Sequence, residues 1–348
     1  YISKVIILYI TKNKTADDVS FSTLFSKNLF RNINFDIIGK RKLAYMFSGA
    51  VIVLGIISII IQGGLNYGVD FKGGRSYVVQ FDKAMVSSDV RTALADDFKD
   101  ASTEVKTFGS SDKLKITTSY LIDDESSEGD EKVQATLVNG LTQLNAGKFE
   151  VQSSTKVGAT VADDIRSASW KSLIIALIGI FVYVLIRFKK WQYSLGGVVA
   201  LFHDSLMVIA IFGILRFFGI NFEIDQVFVA AILTIIGYSI NDTVVVFDRV
   251  REFSSENTKL DLPTVLNNSI NHTFSRTIIT ATTVLIVVLI LCVFGGETLR
   301  GFSVAMLIGV IFGSYSSIFI AVPIVLDLGS KNEDLLFKPA PVVQPEVI

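Results

Sequence analysis

The chain has 348 residues, 50% of them hydrophobic and 19% charged, and 32 Lys+Arg against 33 Asp+Glu leave a net charge of −1. Soluble domains carry about 25% charged residues, so this composition, with a mean hydropathy of +0.52, excludes a wholly soluble protein, and the balanced charge offers no basic surface to nucleic acid. A single cysteine, Cys292, and two histidines, His203 and His272, exclude a disulfide framework and leave too few ligands for a thiolate or His-rich metal site.

In chain order, the first apolar run, Val5 to Ile10, stops at Thr11. It is shorter than the roughly 20 residues a spanning helix needs and lacks the basic region of a signal peptide. It reads as the end of a preceding helix, with a cytoplasmic linker from there to residue 42, so the chain itself reads as a fragment or a processed half. Six longer apolar stretches follow, at 43–61, 168–186, 195–215, 227–247, about 274–294 and 302–326. Each is long enough to cross the hydrocarbon core. The chain therefore reads as an α-helical membrane protein with six transmembrane helices. The first is 43–62, the other five lie within 168–328, and 329–348 forms a cytoplasmic tail.

Positive charge sets the expected orientation. Lys40, Arg41 and Lys42 precede the first stretch, Arg187, Lys189 and Lys190 separate the second from the third, and Arg249 and Arg251 follow the fourth. Only Arg216 and Arg300 lie in the opposite short loops, so the termini are expected in the cytoplasm. Trp191 and Tyr193 at the inner edge and Trp170 at the outer edge suit interfacial anchors.

Residues 63–167 are then expected outside. A strand over 75–81, a helix over 88–98 capped by Ser88, strands over 103–107 and 114–120 joined through 109–112, a helix over 128–144 and a strand over 149–157 give the order βαββαβ. That is an extracytoplasmic α+β domain of the ferredoxin-like kind. It contains no histidine, and its acidic excess fits a solvated binding or spacer domain without chemistry.

The informative charges lie inside the apolar stretches. Asp242 sits about five residues, about 7–8 Å of rise, from the end of the fourth. A charge at mid-bilayer costs roughly 2.5–3.5 kcal/mol, so a carboxylate there is a candidate for binding and releasing a proton. Asn241 and Thr243 beside it are candidate hydrogen-bond donors. Asp248 reads as a residue at the interface. Arg276, at the start of the fifth and antiparallel stretch, falls at similar depth and is the natural partner of Asp242. His203-Asp204 in the third stretch is a candidate relay, because histidine titrates near neutral pH. Glu223 and Asp225 at the outer mouth, and Glu297 in the last outer loop, read as solvated loop acids. Gly309 and Gly313 form a GxxxG suited to close helix packing.

These residues carry a resemblance. Asn66-Tyr67-Gly68-Val69-Asp70-Phe71-Lys72-Gly73-Gly74 resembles the GVDFxGG signature of the SecF family. GYSINDTVVVFDRVRE at 237–252, His272-Thr273-Phe274-Ser275-Arg276-Thr277, and the loop from Phe294 through Ser303 resemble the same family. The likeness covers about residues 35–328. It implies a member of the RND superfamily that pairs with a SecD half, fused or separate, in the bacterial inner membrane. It further implies that the chain helps the SecYEG translocon, with YajC and YidC as further partners, to finish moving preproteins by proton-motive force. On that basis Asp242 is the proton-coupling carboxylate and Arg276 its linked arginine. Gly68, Asp70, Phe71, Gly73 and Gly74 form the signature that shapes the exit from the first span. The Asp204 position is also familial, whereas His203 is not carried over.

The expected cofactor is none, the proton being the coupling ion. The chain has no GxxxxGK[ST] for ATP, and it is not expected to be an enzyme. An RND-type exporter of small molecules and a passive translocon scaffold remain as alternatives. The small outer domain weighs against the exporter.

Overall fold

The computed structural model describes Tyr9 and residues 34–99, 101–124, 126–144, 147–257, 259–329 and 335–337. The apolar run expected at 5–10 (Tyr9 apart), the linker before residue 34 and most of the expected tail lie outside the described residues.

Among the described residues, six helices are long and apolar enough to cross a membrane. They are α1 (Arg41–Ile61), α5 (Ala159–Phe188), α6 (Trp191–Phe217), α7 (Gln226–Glu256), α8 (Leu262–Phe294) and α9 (Gly296–Ser316) with its continuation. Several outrun the apolar stretches, because backbone hydrogen bonding continues where side-chain polarity changes. The start of α8 is signalled instead by Asp261 at the N-cap and Pro263 in the first turn. The helices sort by burial. Most of α6 and of the last span is buried, whereas α1, α5 and α8 present most of their residues outward. The outward α8 has a mean hydropathy of 2.8, against 1.7 for the central α7. A lipid-facing surface must be apolar, whereas helix-facing surfaces hold polar groups that bond to one another.

Small residues bring these helices together. A Cβ on Gly55 of α1 would lie 2.4 Å from Ala210 of α6. On Gly309 of α9 it would lie 2.2 Å from Ile235 of α7, and on Gly313 it would lie 3.1 Å from Ser239. The GxxxG thus faces the helix that carries Asp242.

The stretch expected as one continuous last helix is interrupted. A π-helical turn, Ser317–Ala321, separates α9 from α10 (Val322–Gly329). Pro323 has no N–H for the carbonyl four residues back and its ring crowds that carbonyl, so a widened turn before it is the expected accommodation. Tyr193 differs from its expected role as an interfacial anchor. It is fully buried, stacked on Phe188 at 5.7 Å and edge-on to Phe247 at 5.0 Å, and its hydroxyl donates to Leu335 O. Trp170 and Trp191 are exposed. Asp248 pairs with Arg187 at 3.0 Å and ties α7 to α5.

Between α1 and α5 lies the extramembrane domain. After the single turn α2 (Val69–Lys72), it runs β1 (Gly74–Phe81), α3 (Ser87–Asp97), β2 (Thr103–Phe108), β3 (Ser110–Thr118), α4 (Ser127–Gln143) and β4 (Phe149–Val157). The sheet order is β2-β3-β1-β4, antiparallel throughout, which is the ferredoxin-like arrangement. Val79, Leu94, Leu114, Ile116 and Leu137 fill its core. Two local readings change. Ser88 does not cap α3, whose N-cap is Val86; its hydroxyl bonds Asp89 instead. The β2–β3 turn is tighter than 109–112, because Gly109 takes φ +85° and pairing resumes at Ser110.

Candidate functional site

α7 presents Ser239, Asp242, Thr243 and Val246 to the bundle interior, the i, i+3, i+4, i+7 face of a helix. Asp242 is 4% exposed. Its Oδ2 accepts a long hydrogen bond of 3.5 Å from Ser314 Oγ on α9. Thr280 of α8 lies beside it, although the Thr280 hydroxyl bonds its own helix at Arg276 O and Thr277 O. The Tyr238 hydroxyl is buried near the same carboxylate, beside Ser314 and Thr280.

The expected donors Asn241 and Thr243 do not reach Asp242. Asn241 points outward and is exposed. Thr243 donates to Ser239 O, one turn back on its own helix. Residues adjacent in a helix face about 100° apart, and a helical threonine satisfies itself on the preceding turn. Arg276 stands within electrostatic range of Asp242. Among the described residues, however, no ion pair of 4 Å or less joins the two, and Arg276 is exposed.

Asp204, on α6, is the more enclosed carboxylate, with no exposure. Its Oδ2 accepts from Ser239 Oγ of α7 at 2.6 Å and from Ser316 Oγ of α9 at 2.8 Å. Its Oδ1 meets His203 Nδ1 at 3.0 Å. The other ring nitrogen of His203 meets Ser48 of α1 at 2.9 Å. Asp204 and Asp242 thus share the same two helices, α7 and α9, through Ser239, Ser314 and Ser316. Those serines were missed by sequence reasoning. Their signal was the polar run Ser314-Tyr315-Ser316-Ser317 inside an apolar stretch.

A cavity of about 390 Å³ leads from residues 35–40 to Ser314, lined also by Phe274 and Tyr315. Two amides of α8 that also went unremarked hold residues 35 and 37 of its lining. Asn271 Oδ1 accepts from Phe35 N and Asn267 Oδ1 from Ile37 N, each at 2.9 Å. Phe35 meets Phe274 edge-on at 5.7 Å.

The signature at 66–74 docks on the N-terminal end of α7. Gly68 N donates to Ile224 O and Ile224 N to Asn66 O, and Arg166 Nη2 to Phe71 O. Asp70 accepts from Gln226 N at 3.0 Å, while Asp225 accepts from Phe228 N at 2.7 Å. Two carboxylates therefore cap the helix that carries Asp242. Gly73 at φ +72° and Gly74 at φ +114° turn the chain into β1, and a Cβ on Gly74 would lie 2.4 Å from Thr118 O, so the double glycine is required there.

Glu223 and Asp225 are not solvated loop acids. Glu223 receives Lys115 at 2.6 Å and Lys106 at 3.5 Å, which fastens the sheet to the α6–α7 loop. Burial pushes the Asp225 carboxyl up from its ordinary value. The Phe228 N–H opposes this, and the negative charges of Asp70 and Glu223 add to it. A raised folded pKa means that this acid subtracts stability as pH rises above the ordinary value of about 3.9. Asp225→Asn, which can still cap, is therefore expected to raise the thermal midpoint at neutral pH, with the difference vanishing below about pH 4. Asp225→Ala is expected to lose about 1 kcal/mol of cap. Thermal unfolding in detergent across pH checks both. The side chain of Glu297 lies outside the described residues.

Residues 137–331 match the family model described as "Protein export membrane protein SecD/SecF, C-terminal", and residues 58–85 match the SecD/SecF GG motif. The protein translocase subunit SecF of Rhodothermus marinus is 43% identical over 306 residues, covering 87% of this chain and 96% of the relative. That of Thermodesulfovibrio yellowstonii is 38% identical over 305 residues, covering 86% and 96%. Among solved structures, the translocon-associated membrane protein SecDF of Thermus thermophilus superimposes with a TM-score of 0.78 at 25% identity. That match covers 94% of this chain and 42% of the SecDF chain.

Proposed function

Because the chain belongs to the SecD/SecF family of protein export membrane proteins, we propose that it is the SecF component of a proton-driven accessory to the Sec translocase. In this reading it acts in the bacterial inner membrane with a SecD half, beside the SecYEG translocon and a translocating preprotein, with YajC and YidC as further neighbours. Its termini face the cytoplasm and the ferredoxin-like domain faces the periplasm.

The coupling group is Asp242, with Arg276 as the cation that approaches and withdraws. The observation that carries this reading is a carboxylate buried within a spanning helix, held by a long serine hydrogen bond and, among the described residues, in no ion pair of 4 Å or less. Such a group is poised to exchange a proton rather than to sit in a fixed ion pair. Moving one charge through 100 mV is worth about 2.3 kcal/mol, enough to bias a change in packing against α9. Ser314 and the π turn that follows it are where such a change would start, since π turns mark functional sites.

The test is export in proteoliposomes that hold the translocon, the SecD half and this chain. Collapsing the proton-motive force with an uncoupler is expected to bring export down to the level of vesicles lacking the chain. Stimulation that survives the uncoupler at full size would instead support a passive scaffold.

A further inference from the structure

The buried polar chain around His203 is not used by the Asp242 mechanism. Four contacts run in series across α6, α1 and α9. Asp204 Oδ1 meets His203 Nδ1 at 3.0 Å, and His203 Nε2 meets Ser48 Oγ at 2.9 Å. Ser48 Oγ meets Tyr315 Oη at 3.3 Å, and Tyr315 Oη meets Ala44 O at 2.9 Å. His203, Asp204 and Ser48 are all buried.

The proton count follows from the far end. A carbonyl only accepts, so the Tyr315 hydroxyl proton lies toward Ala44 O. Tyr315 Oη then accepts from Ser48, which places the single Ser48 proton in that contact. Ser48 Oγ in turn accepts from His203, so Nε2 carries a proton. A neutral imidazole has only one N–H. Nδ1 would then face Asp204 Oδ1 with two lone pairs opposed at 3.0 Å, unless one more proton sits between them. Asp204 Oδ2 brings no relief, since Ser239 and Ser316 already donate to it. Among the described residues His203 is also the only group able to carry positive charge within 4 Å of Asp204, and a lone buried carboxylate is costly.

We propose that His203 and Asp204 together hold one proton more than a neutral imidazole and an ionised carboxylate would, making them a second proton-holding site in the membrane bundle. The extra proton lies on Nδ1 as an imidazolium–carboxylate pair, or on Asp204 Oδ1 as a carboxylic acid donating to Nδ1. Its existence is independent of Asp242. Its role rests on the proposed proton coupling. Ser239 lies on α7 three residues before Asp242, and Ser316 lies on α9 two residues after Ser314. A movement of α9 that changes the Asp242 contact therefore changes the Asp204 contacts as well.

The chain has only two histidines, which makes the test direct. Ring-15N histidine is incorporated into the full chain carrying His272→Gln, a change at an exposed position, assembled with its SecD half in lipid at neutral pH. The expected nitrogen spectrum of His203 shows Nε2 protonated. Either Nδ1 is protonated too, or the infrared spectrum contains an acid C=O stretch that disappears in Asp204→Asn. A neutral ring protonated at Nδ1 alone, or a neutral ring protonated at Nε2 alone without the acid stretch, overturns the proposal. Asp242→Asn is expected to leave the His203 signal in place, so failure of the coupling role of Asp242 is distinguishable from failure of this site.

Discussion

Replacing Asp242 with Asn is expected to abolish the proton-driven share of export while leaving the fold intact. Asn keeps the size of the side chain and an oxygen to accept from the Ser314 hydroxyl. It removes the ability to take up and lose a proton. A carrier that moves one charge fewer loses about 2.3 kcal/mol per 100 mV, about 50-fold in any equilibrium that charge drives. Export in vesicles energised by a proton gradient is therefore expected to fall to the level seen without the chain, and thermal stability in detergent to change by less than about 1 kcal/mol. Full export by Asp242→Asn would remove the carboxylate from the mechanism. Arg276→Lys keeps a charge in range of Asp242 and is expected to retain part of the function, whereas Arg276→Ala is expected to lose it. The Arg276 pair of variants tests the cation separately from the acid.

The second large effect is structural. Arg75 opens β1 with its side chain buried, and its guanidinium serves four partners. It donates to Asp130 at 2.8 Å, to Tyr120 O at 3.2 Å, to Leu121 O at 2.8 Å and to Asp124 O at 2.7 Å. These contacts hold the 120–124 loop, where Leu121 sits at φ +51°, against the start of α4. Asp130 is itself half-exposed, so the ion pair contributes little, and the three half-buried carbonyls matter more. Arg75→Ala removes all three of these bonds, leaving Leu121 O only the Asp124 N–H, and is expected to cost the extramembrane domain about 2–3 kcal/mol, a large share of a small domain's stability of roughly 5–15 kcal/mol. Hydrogen exchange over 74–157 in the full chain is expected to accelerate throughout the sheet. Unchanged protection would refute the role given to Arg75. Lys cannot reproduce the planar fork, so Arg75→Lys is expected to restore only part of the protection. Hydrogen bonds from Lys156 and Arg75 hold the Asp130 carboxyl below its ordinary value. The stability this adds is present above about pH 3.9 and is lost as pH falls through the lower folded value.

The two effects separate what holds the outer domain from what works in the membrane. Lys106 and Lys115 on the sheet reach Glu223 in the α6–α7 loop, and Asp70 of the signature caps α7. The extramembrane domain is therefore fastened to the N-terminal end of the helix that carries Asp242. A displacement of α7 has a hydrogen-bonded and an ionic route to the sheet.

Hydropathy and residue order determined a good deal without coordinates. Six spanning helices follow from six apolar stretches, because each backbone polar group in lipid must be satisfied within its own segment. The βαββαβ order follows from alternation and helical spacing between the first two. Asp242 stood out because a charge inside such a stretch is costly. Only tertiary structure decided who touches whom. The neighbours of Asp242 in sequence turn away from it, and its hydrogen bond comes from Ser314 on another helix. Arg276, matched to it by depth, forms no ion pair with it. Asp204, one polar break among several in the sequence, became the most enclosed carboxylate, because α1, α7 and α9 each bring a hydroxyl to the His203-Asp204 pair. Periodicity reports which face of a helix is buried, but the partner of a buried polar group is set by packing between segments far apart in the chain.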